Sequence, residues 1–155
     1  MGKLIGIATK KAFRGKMLLH REAMISEETG VGNDPRGKPG KRQVTVITKE
    51  SWDEACRELG CSIPWTARRA NLFIEGVELS GSKGLYLYIN DAVLEIAGET
   101  TPCSRMDDEF KGLKAALQPN WRGGVICRVI KGGKVRIGND AGIGHRHAGW
   151  RVSRS

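Results

Sequence analysis

Short apolar and β-branched runs bounded by turn residues recur along the chain, and residues 3–9 also alternate between apolar and small residues; this pattern predicts a protein built mainly from short β-strands. The clearest strand is 43–48, Gln-Val-Thr-Val-Ile-Thr, in which β-branched residues predominate. Further strands are predicted over 3–9, 21–26, 72–79, 85–89, 92–97, 124–130 and 135–137. Strands and helices do not alternate in this pattern, so a parallel βαβ architecture is not expected.

Turn residues between successive strands predict two β-hairpins. Asn90-Asp91 separates strands 85–89 and 92–97, and a Gly-Gly pair within 131–134 precedes strand 135–137. Short strands joined in this way favour a closed or nearly closed β-barrel, which also removes exposed sheet edges. We therefore predict a mainly β fold with one barrel domain over residues 1–140.

Two short helices are expected outside the barrel. Ser51-Trp-Asp-Glu54 has the S-x-x-E pattern of a capping box and predicts that a helix starts at Ser51. Its apolar face has the helical spacing i, i+3, i+4, i+7: Trp52, Ala55, Cys56, Leu59. Gly60 is expected to end this helix, and a second helix is predicted over 107–117. From Asn139 on, through the basic tail 141–155 with His145 and His147, we expect poor order.

Composition bounds the class of protein. A chain of 155 residues is long enough for one domain with a real core, and 39% hydrophobic with 28% charged residues is typical of a soluble globule. No apolar run approaches the length of a membrane span, and the N-terminal apolar stretch is too short for a secretory signal. A cytoplasmic protein without membrane partners is expected.

The net charge suggests an anionic partner. It is +9, from 26 Lys and Arg against 17 Asp and Glu. Such an excess suits nucleic acid or a phosphorylated small molecule, although a solvated basic surface with no particular partner is the alternative. The excess is spread along the chain, which weakens the nucleic-acid interpretation.

A glycine-rich loop matches the first part of a phosphate-binding sequence motif but lacks the residues that must follow it. Within loop 27–42, residues 32–38 match G-x-x-x-x-G-K. A P-loop requires Ser or Thr next and then a helix, whereas Pro39-Gly40 and a strand follow here. A nucleoside triphosphate site is therefore not expected.

The cysteines single out one candidate for chemistry. None of Cys56, Cys61, Cys103 and Cys127 forms a C-x-x-C pair, so a structural zinc site is not expected. Cys56 and Cys127 lie in apolar patterns typical of a core. Cys103 lies between a predicted strand and a predicted helix, where a thiolate can act as nucleophile, sulfur carrier or soft-metal ligand. Arg105 would favour the thiolate; a small buried cysteine that packs as a hydrophobe is the alternative.

A second candidate set precedes strand 72–79. Arg68, Arg69 and Asn71 could hold an anion from a loop. An exposed basic turn is the alternative interpretation of the same residues.

Several segments together resemble the MOSC domain family, which is named for the C-terminal part of the molybdenum cofactor sulfurase. They are Gly32-Asn-Asp34 with Arg42-Gln-Val44, the run 69–79 (R-x-N followed by a strand), Thr101-Pro-Cys-Ser-Arg105 and the glycine-rich stretch 123–138. The acidic loop departs from the family pattern because Pro35-Arg36 stands where a His is common.

The resemblance implies a β-barrel that binds a molybdenum cofactor (molybdopterin). It implies that Cys103 carries sulfur or ligates molybdenum. It further implies that Arg68, Arg69, Asn71 and Arg105 line the anionic end of the cofactor. A complete enzyme, an oxidoreductase or sulfurtransferase, would need a partner that supplies cofactor or electrons.

The alternative is a basic β-barrel that binds RNA or an acidic protein without catalysis. Phe73, Tyr86 and Tyr88 stand at strand positions, where core packing is expected rather than base stacking.

Overall fold

Eleven strands and three short helices make up the part of the chain that the computed structural model describes, residues 2–11, 16–102 and 105–145. The strands are β1 (Gly2–Lys10), β2 (Met17–His20), β3 (Glu22–Ser26), β4 (Gly30–Val31), β5 (Val44–Thr48), β6 (Leu72–Glu75), β7 (Tyr86–Ile89), β8 (Ala92–Glu99), β9 (Val125–Lys131), β10 (Gly133–Arg136) and β11 (Asp140–Gly144). The helices are α1 (Lys49–Leu59), α2 (Arg105–Glu109) and α3 (Leu113–Leu117).

Seven of the strands close into a barrel in the order β1-β11-β7-β8-β9-β5-β6, with β6 pairing back to β1. Strand β2 extends the sheet from β1 outside this ring, and β10-β3-β4 form a separate three-stranded sheet. The predicted mainly β fold with a closed barrel is confirmed.

The core has two layers, on either side of the barrel wall. Inside the barrel, Leu4, Ile7, Leu72, Ile74 and Leu94 are fully buried. Outside the wall, Trp52 and Ala55 of α1 and Leu113 of α3 pack against Ile47 and Phe73. Successive side chains along β5 and β6 point to opposite faces of the barrel wall, so each strand contributes to both layers.

One connection contradicts the expectation that strands and helices do not alternate. Strands β5 and β6 pair in parallel, with Val46 opposite Leu72, and α1 lies on the connection between them. A parallel pair needs a long crossover, and the helix supplies it. This crossover places the turn at 65–69 immediately before β6 at one end of the barrel.

Helix α1 begins earlier than its capping-box pattern predicts. Its N-cap is Thr48, whose side chain accepts a hydrogen bond from the N–H of Ser51, so Ser51 lies within the first turn. Thr48 is the last residue of β5 and keeps an extended backbone (φ −106°, ψ 151°), which is the N-cap conformation. Gly60 ends the helix at φ 70°, as predicted.

The hairpin at Asn90-Asp91 is confirmed, since β7 and β8 pair in antiparallel fashion across it and Asn90 has a φ of 51°. The second predicted hairpin is wrong. Strand β9 pairs with β5 and β8, whereas β10 pairs with β3. Gly132 lets the chain cross between sheets, because a Cβ there would lie 2.4 Å from the carbonyl oxygen of Ile25.

Three further boundaries differ from expectation. The helix predicted over 107–117 is divided into α2 and α3 by Gly112, which has a φ of 91°. The strand predicted over 72–79 ends at Glu75. The poorly ordered tail expected from Asn139 is wrong for residues 140–144, which form β11 and pair with β1 and β7.

Residues 146–155 of the tail, including His147, lie outside the described residues. No helix in the described ranges is long and apolar enough to cross a membrane.

Candidate functional site

The carboxylate of Asp34 organises the end of the barrel at which β1 finishes and β6 starts. It is 5% exposed and accepts hydrogen bonds from the backbone N–H of Lys10 (2.8 Å) and of Arg36 (2.9 Å). The Arg36 guanidinium binds both carboxylate oxygens, at 2.9 Å from Nε and 2.7 Å from Nη2. Burial alone would raise the pKa of Asp34, but these hydrogen bonds and the Arg36 charge lower it to about 2.

Asn71 links Asp34 to two barrel strands. Its amide nitrogen donates to the carboxylate of Asp34 (3.1 Å) and to the backbone carbonyl of Ala8 (3.1 Å). Its amide oxygen accepts from the N–H of Thr45 (3.2 Å). Asn71 is 3% exposed, and these contacts use both N–H donors of its side chain inside the protein.

Arg68 holds the segment that leads towards position 103. Its side chain is buried and donates to the carbonyl of Gly123 (3.0 Å) and to the hydroxyl of Thr100 (3.0 Å). The backbone N–H of Thr100 in turn donates to the carbonyl of Gly124. We call Asp34, Asn71 and Arg68 the polar clamp, because their buried groups bind backbone from several segments.

Positive charge gathers next to this clamp. The pKa of Lys10 is lowered, first by burial and then by the charges of Arg69, Arg36 and Arg105. Asp34 acts in the opposite direction, and the three arginine charges that reach Lys10 indicate that these side chains lie in one region. We call Lys10, Arg36, Arg69 and Arg105 the cationic cluster.

Arg69 occupies a turn that its neighbours fix. Its backbone is left-handed, with a φ of 64°, a conformation that costs a non-glycine residue about 1 kcal/mol. Its carbonyl accepts from Arg36 Nη1 at 2.7 Å, and its guanidinium lies 3.8 Å from the carboxylate of Glu109 on α2. The turn therefore sends Arg68 inward and Arg69 towards α2, although the two are adjacent in the chain.

A cleft of about 370 Å³ adjoins the cluster and shares Lys10 with it. Lys10 and Lys11 line it, with His20 of β2 opposite. The Thr9 hydroxyl and His20 Nε2 are 2.7 Å apart, which joins β1 to β2 across the cleft wall. The cleft gives solvent a path to Lys10.

The structure thus places four of the five predicted site residues at one end of the barrel, with Arg68 and Asn71 inside the clamp and Arg69 and Arg105 in the cluster. Cys103, the fifth, lies outside the described residues, between Pro102 and Arg105. Its role and its proximity to Arg69 and Asn71 stay predictions.

The described cysteines all lie elsewhere. Cys127 is fully buried inside the barrel, and burial raises the pKa of its thiol far above the usual range. Cys56 and Cys61 are half-buried at the C-terminal end of α1. Phe73 and Tyr88 are buried and Tyr86 is half-buried, so these strand aromatics offer no open stacking surface, as the sequence predicted.

Sequence reasoning missed Asp34, Arg36 and Lys10 as site residues. Asp34 belongs to the acidic loop on which the family resemblance partly rests, and Arg36 belongs to the departure within that loop. An arginine two residues after an aspartate was the available signal for an ion pair across a tight turn. Among the residues the structure describes, no group of three or more His, Cys, Asp or Glu side chains could hold a metal ion.

A family model for the MOSC domain matches residues 22–141. The chain belongs to the MOSC domain family. The matched range contains the polar clamp and Cys103, whereas Lys10 precedes it. No curated protein matches this MOSC chain.

Solved structures with the same fold include the YuaD protein from Bacillus subtilis, with a TM-score of 0.76 and 18% identity over 91% of this chain and 94% of that one. YiiM from Geobacillus stearothermophilus has a TM-score of 0.71 and 14% identity, covering 99% and 80% of the two chains. YiiM from Escherichia coli has a TM-score of 0.69 and 18% identity, covering 97% and 74%. At these identities the likeness shows a shared fold.

Proposed function

We propose that this MOSC protein binds the anionic end of a molybdenum-pterin cofactor at the cationic cluster, with the Cys103 thiolate as sulfur carrier or metal ligand. The observation that carries the proposal is the charge gathered around Lys10 by Arg36, Arg69 and Arg105. Asp34 and Glu109 already lie against Arg36 and Arg69, and an anion there would offset the excess of four cations over these two carboxylates.

The donors present fit a phosphate. Guanidinium groups offer planar pairs of N–H donors that match phosphate oxygens, and a lysine adds a compact charge. Arg36 donates from Nε and Nη2 to the Asp34 carboxylate and from Nη1 to the Arg69 carbonyl, so its charge is fixed in position. A charge that is already fixed loses little entropy when a ligand binds. The fit concerns the anionic end of the cofactor, and the clamp contributes by holding these donors in place.

We propose Cys103 as the thiolate ligand for molybdenum, because the other three cysteines lie away from the cluster. Cys127 is in the barrel interior, and Cys56 and Cys61 are at the end of α1. Arg68 fixes Thr100, three residues before Cys103, and Arg105 begins α2 two residues after it. Soft thiolate sulfur is a suitable ligand for a transition metal. When bound, such a cofactor supplies redox or sulfur-transfer chemistry at its metal.

We propose that the chain's own residues bind the anion and that cations near Cys103 favour its thiolate. We propose that a second protein supplies the cofactor or the electrons. We also propose a cytoplasmic location, where free thiols persist.

The test is cofactor loading in cells that synthesise molybdenum cofactors. Molybdenum per protein would be measured by elemental mass spectrometry for the wild type, Cys103→Ser, and the double variant Arg69→Ala/Arg105→Ala. We expect measurable molybdenum in the wild type and at least tenfold less in each variant. Cys103→Ser removes the thiolate ligand, and the double variant removes two cations of the cluster. Arg57→Ala is the matched control, since Arg57 is an exposed arginine on α1 whose ion-pair partner is Glu54.

A second readout does not depend on loading. In the cofactor-free protein, brief alkylation near neutral pH should label Cys103 before the other three thiols, because access and thiolate fraction set the rate. Molybdenum at background in the wild type, with Cys103 labelled no faster than Cys61, would reject the proposal. Co-purified nucleic acid in such a preparation would favour the basic binding module instead.

A further inference from the structure

Exposed apolar side chains are concentrated on and around the edge strand β2. Among the described residues, five large hydrophobics are exposed, and four of them lie on β2, on β3 or directly after β10: Leu18 (43%), Leu19 (67%), Met24 (57%) and Ile137 (45%). We call these four residues the β2 patch. The fifth, Phe110 (37%), follows α2.

Hydrogen bonds and register bring the members of the patch together. The N–H of Ile137 donates to the carbonyl of Arg21, the residue that joins β2 to β3. Met24 lies opposite Lys134 in the β3–β10 ladder, two residues from Glu22, and Leu18 shares the cleft beside β2 with Glu22. Leu18 and Leu19 are successive strand residues and point to opposite faces of the sheet, so the patch wraps around the edge formed by β2. Apolar groups clustered along an edge differ from singly scattered surface hydrophobics, and such patches mark interaction sites.

Strand β2 also offers an open edge. It pairs with β1 along its whole length, from Ile7 opposite His20 to Lys10 opposite Met17, and no other strand in the described ranges pairs with it. The backbone N–H and C=O groups on its outer side can therefore receive another extended chain. Leu19 is the most exposed residue of this edge strand.

The rim of the patch is basic. Lys16 and Arg21 are exposed at the two ends of β2, and Lys134 and Arg136 are exposed on β10. Glu22 is the carboxylate among them, and hydrogen bonds from Arg136 and Lys134 lower its pKa. Because Glu22 is already paired with two cations, the rim keeps a positive excess.

We propose that the β2 patch docks an acidic partner protein, which adds an extended segment of alternating acidic and apolar residues to the outer edge of β2. Because alternate side chains of an added strand lie on opposite faces, its apolar side chains cover Leu19 on one face and its carboxylates lie on the other face, beside the basic rim. The inference goes beyond the cofactor site, since it requires neither Cys103 nor a bound cofactor.

Charge argues against the two other occupants. A second copy paired antiparallel about Leu18 and Leu19 would set Lys16 against Arg21, which places like charges opposite each other. The chain's own residues 146–155 contain three arginines and no acidic side chain, so the basic rim repels them. An acidic segment has no such penalty.

The test uses cofactor-free full-length protein and a fluorescein-labelled synthetic peptide, Glu-Val-Glu-Ile-Glu-Val-Glu. Fluorescence anisotropy should show saturable binding that weakens as salt rises, because charge pairs on the rim are screened. Amide hydrogen exchange over residues 16–20 should slow in the complex. A peptide with lysine in place of glutamate, and one with alternate backbone amides methylated, should both bind at least tenfold more weakly.

Variants locate the peptide on the protein. Leu19→Glu and Arg21→Glu should each weaken binding by about tenfold or more, since one removes the central apolar contact and the other reverses a rim charge. Phe110→Glu and Arg57→Glu carry the same changes at exposed positions outside the patch and should stay within about twofold of wild type. Leu19 and the rim residue Arg21 are both exposed, and an unchanged thermal midpoint of each variant will show that the fold is intact.

Other outcomes would overturn the proposal. Equal binding of the lysine peptide or of the methylated peptide would remove, respectively, the charge and the strand-addition arguments. A dimer in sedimentation that Leu19→Glu dissolves would make a second copy the occupant, and peptide binding seen only after deletion of 146–155 would make the tail the occupant. Cys103→Ser should bind peptide like the wild type, so this test can fail or succeed independently of molybdenum loading.

Discussion

The polar clamp and the cationic cluster are neighbours with opposite physical character. In the clamp, Asn71 and Arg68 use their donors on backbone carbonyls and on buried side chains. In the cluster, the charges of Arg69 and Arg105 act on Lys10 and make its protonated form less stable. Adjacent residues of one turn, Arg68 and Arg69, belong to different sides of this division. The clamp thus contributes stability, and the cluster keeps a cost that an anion would relieve.

The largest expected effect comes from breaking the clamp at its centre. Asp34→Asn removes the charge that Arg36 and two backbone N–H groups bind. It leaves the half-buried Arg36 guanidinium without its counter-ion, so the free energy of unfolding should fall by about 2 to 3 kcal/mol. Urea denaturation followed by tryptophan fluorescence would measure the loss.

A matched control is Asp53→Asn, which breaks the ion pair between Asp53 and Lys49 on the exposed face of α1. Its stability should change by less than about 0.5 kcal/mol, as is usual for exposed pairs. If Asp34→Asn costs no more than this control, Asp34 does not hold the clamp together.

Acid titration of the wild-type protein should reveal how much the Asp34 carboxylate contributes to stability. The folded-state pKa of Asp34 is about 2, against a usual value of 3.8, so the unfolded chain binds its proton more readily. The stabilisation is therefore complete above pH 3.8 and is lost as the pH falls towards 2, by an amount on the order of 2 kcal/mol. Unfolding free energies measured from pH 5 to pH 2 should fall more steeply in the wild type than in Asp34→Asn. Parallel curves would contradict the assignment.

A smaller effect of opposite sign is expected in the cluster. Lys10→Met keeps the apolar stem and removes a charge that three arginines disfavour, while the backbone N–H still binds Asp34. Because the folded-state pKa of Lys10 is below 10.5, its charge destabilises the fold at neutral pH. The variant should be more stable by up to about 1 kcal/mol at pH 7, and the gain should shrink as the pH approaches 10.5.

Lys49→Met is the control for this change, because Asp53 raises the pKa of Lys49 and its charge favours the fold. It should bring no gain in stability. A loss of stability in Lys10→Met at pH 7 would show that the cluster does not store repulsion, and would weaken the anion site with it.

The comparison also explains what the sequence could and could not predict. Strands such as β5 and the β7–β8 hairpin follow from local patterns, since β-branched runs and a two-residue turn act over a few positions. The parallel β5–β6 pair and the β3–β10 ladder join distant segments, and local periodicity does not encode partner choice.

The candidate site likewise has a part that the sequence could predict and a part that it could not. Arg68, Arg69 and Asn71 were identifiable as a polar run ahead of a strand, but the run did not reveal that two of them turn inward. That outcome depends on Asp34, 37 positions before Asn71, and on the left-handed backbone at Arg69. Lys10 had no motif at all, since its importance comes from three cations brought close by the fold.

The pairing of the first strand with the last has a consequence for biosynthesis. Gly2 lies opposite Ala141 and Lys3 opposite Asp140, and Leu4 exchanges backbone hydrogen bonds with Gly138 and Asn139. During translation, β1 therefore cannot complete its pairing until β11 (Asp140–Gly144) has left the ribosome. Until then one barrel seam is open, and the nascent protein exposes two unpaired edges. A chaperone could bind the unpaired edges during that interval. A circular permutant that joins β11 directly to β1 would shorten the interval, because the two strands would be synthesised one after the other.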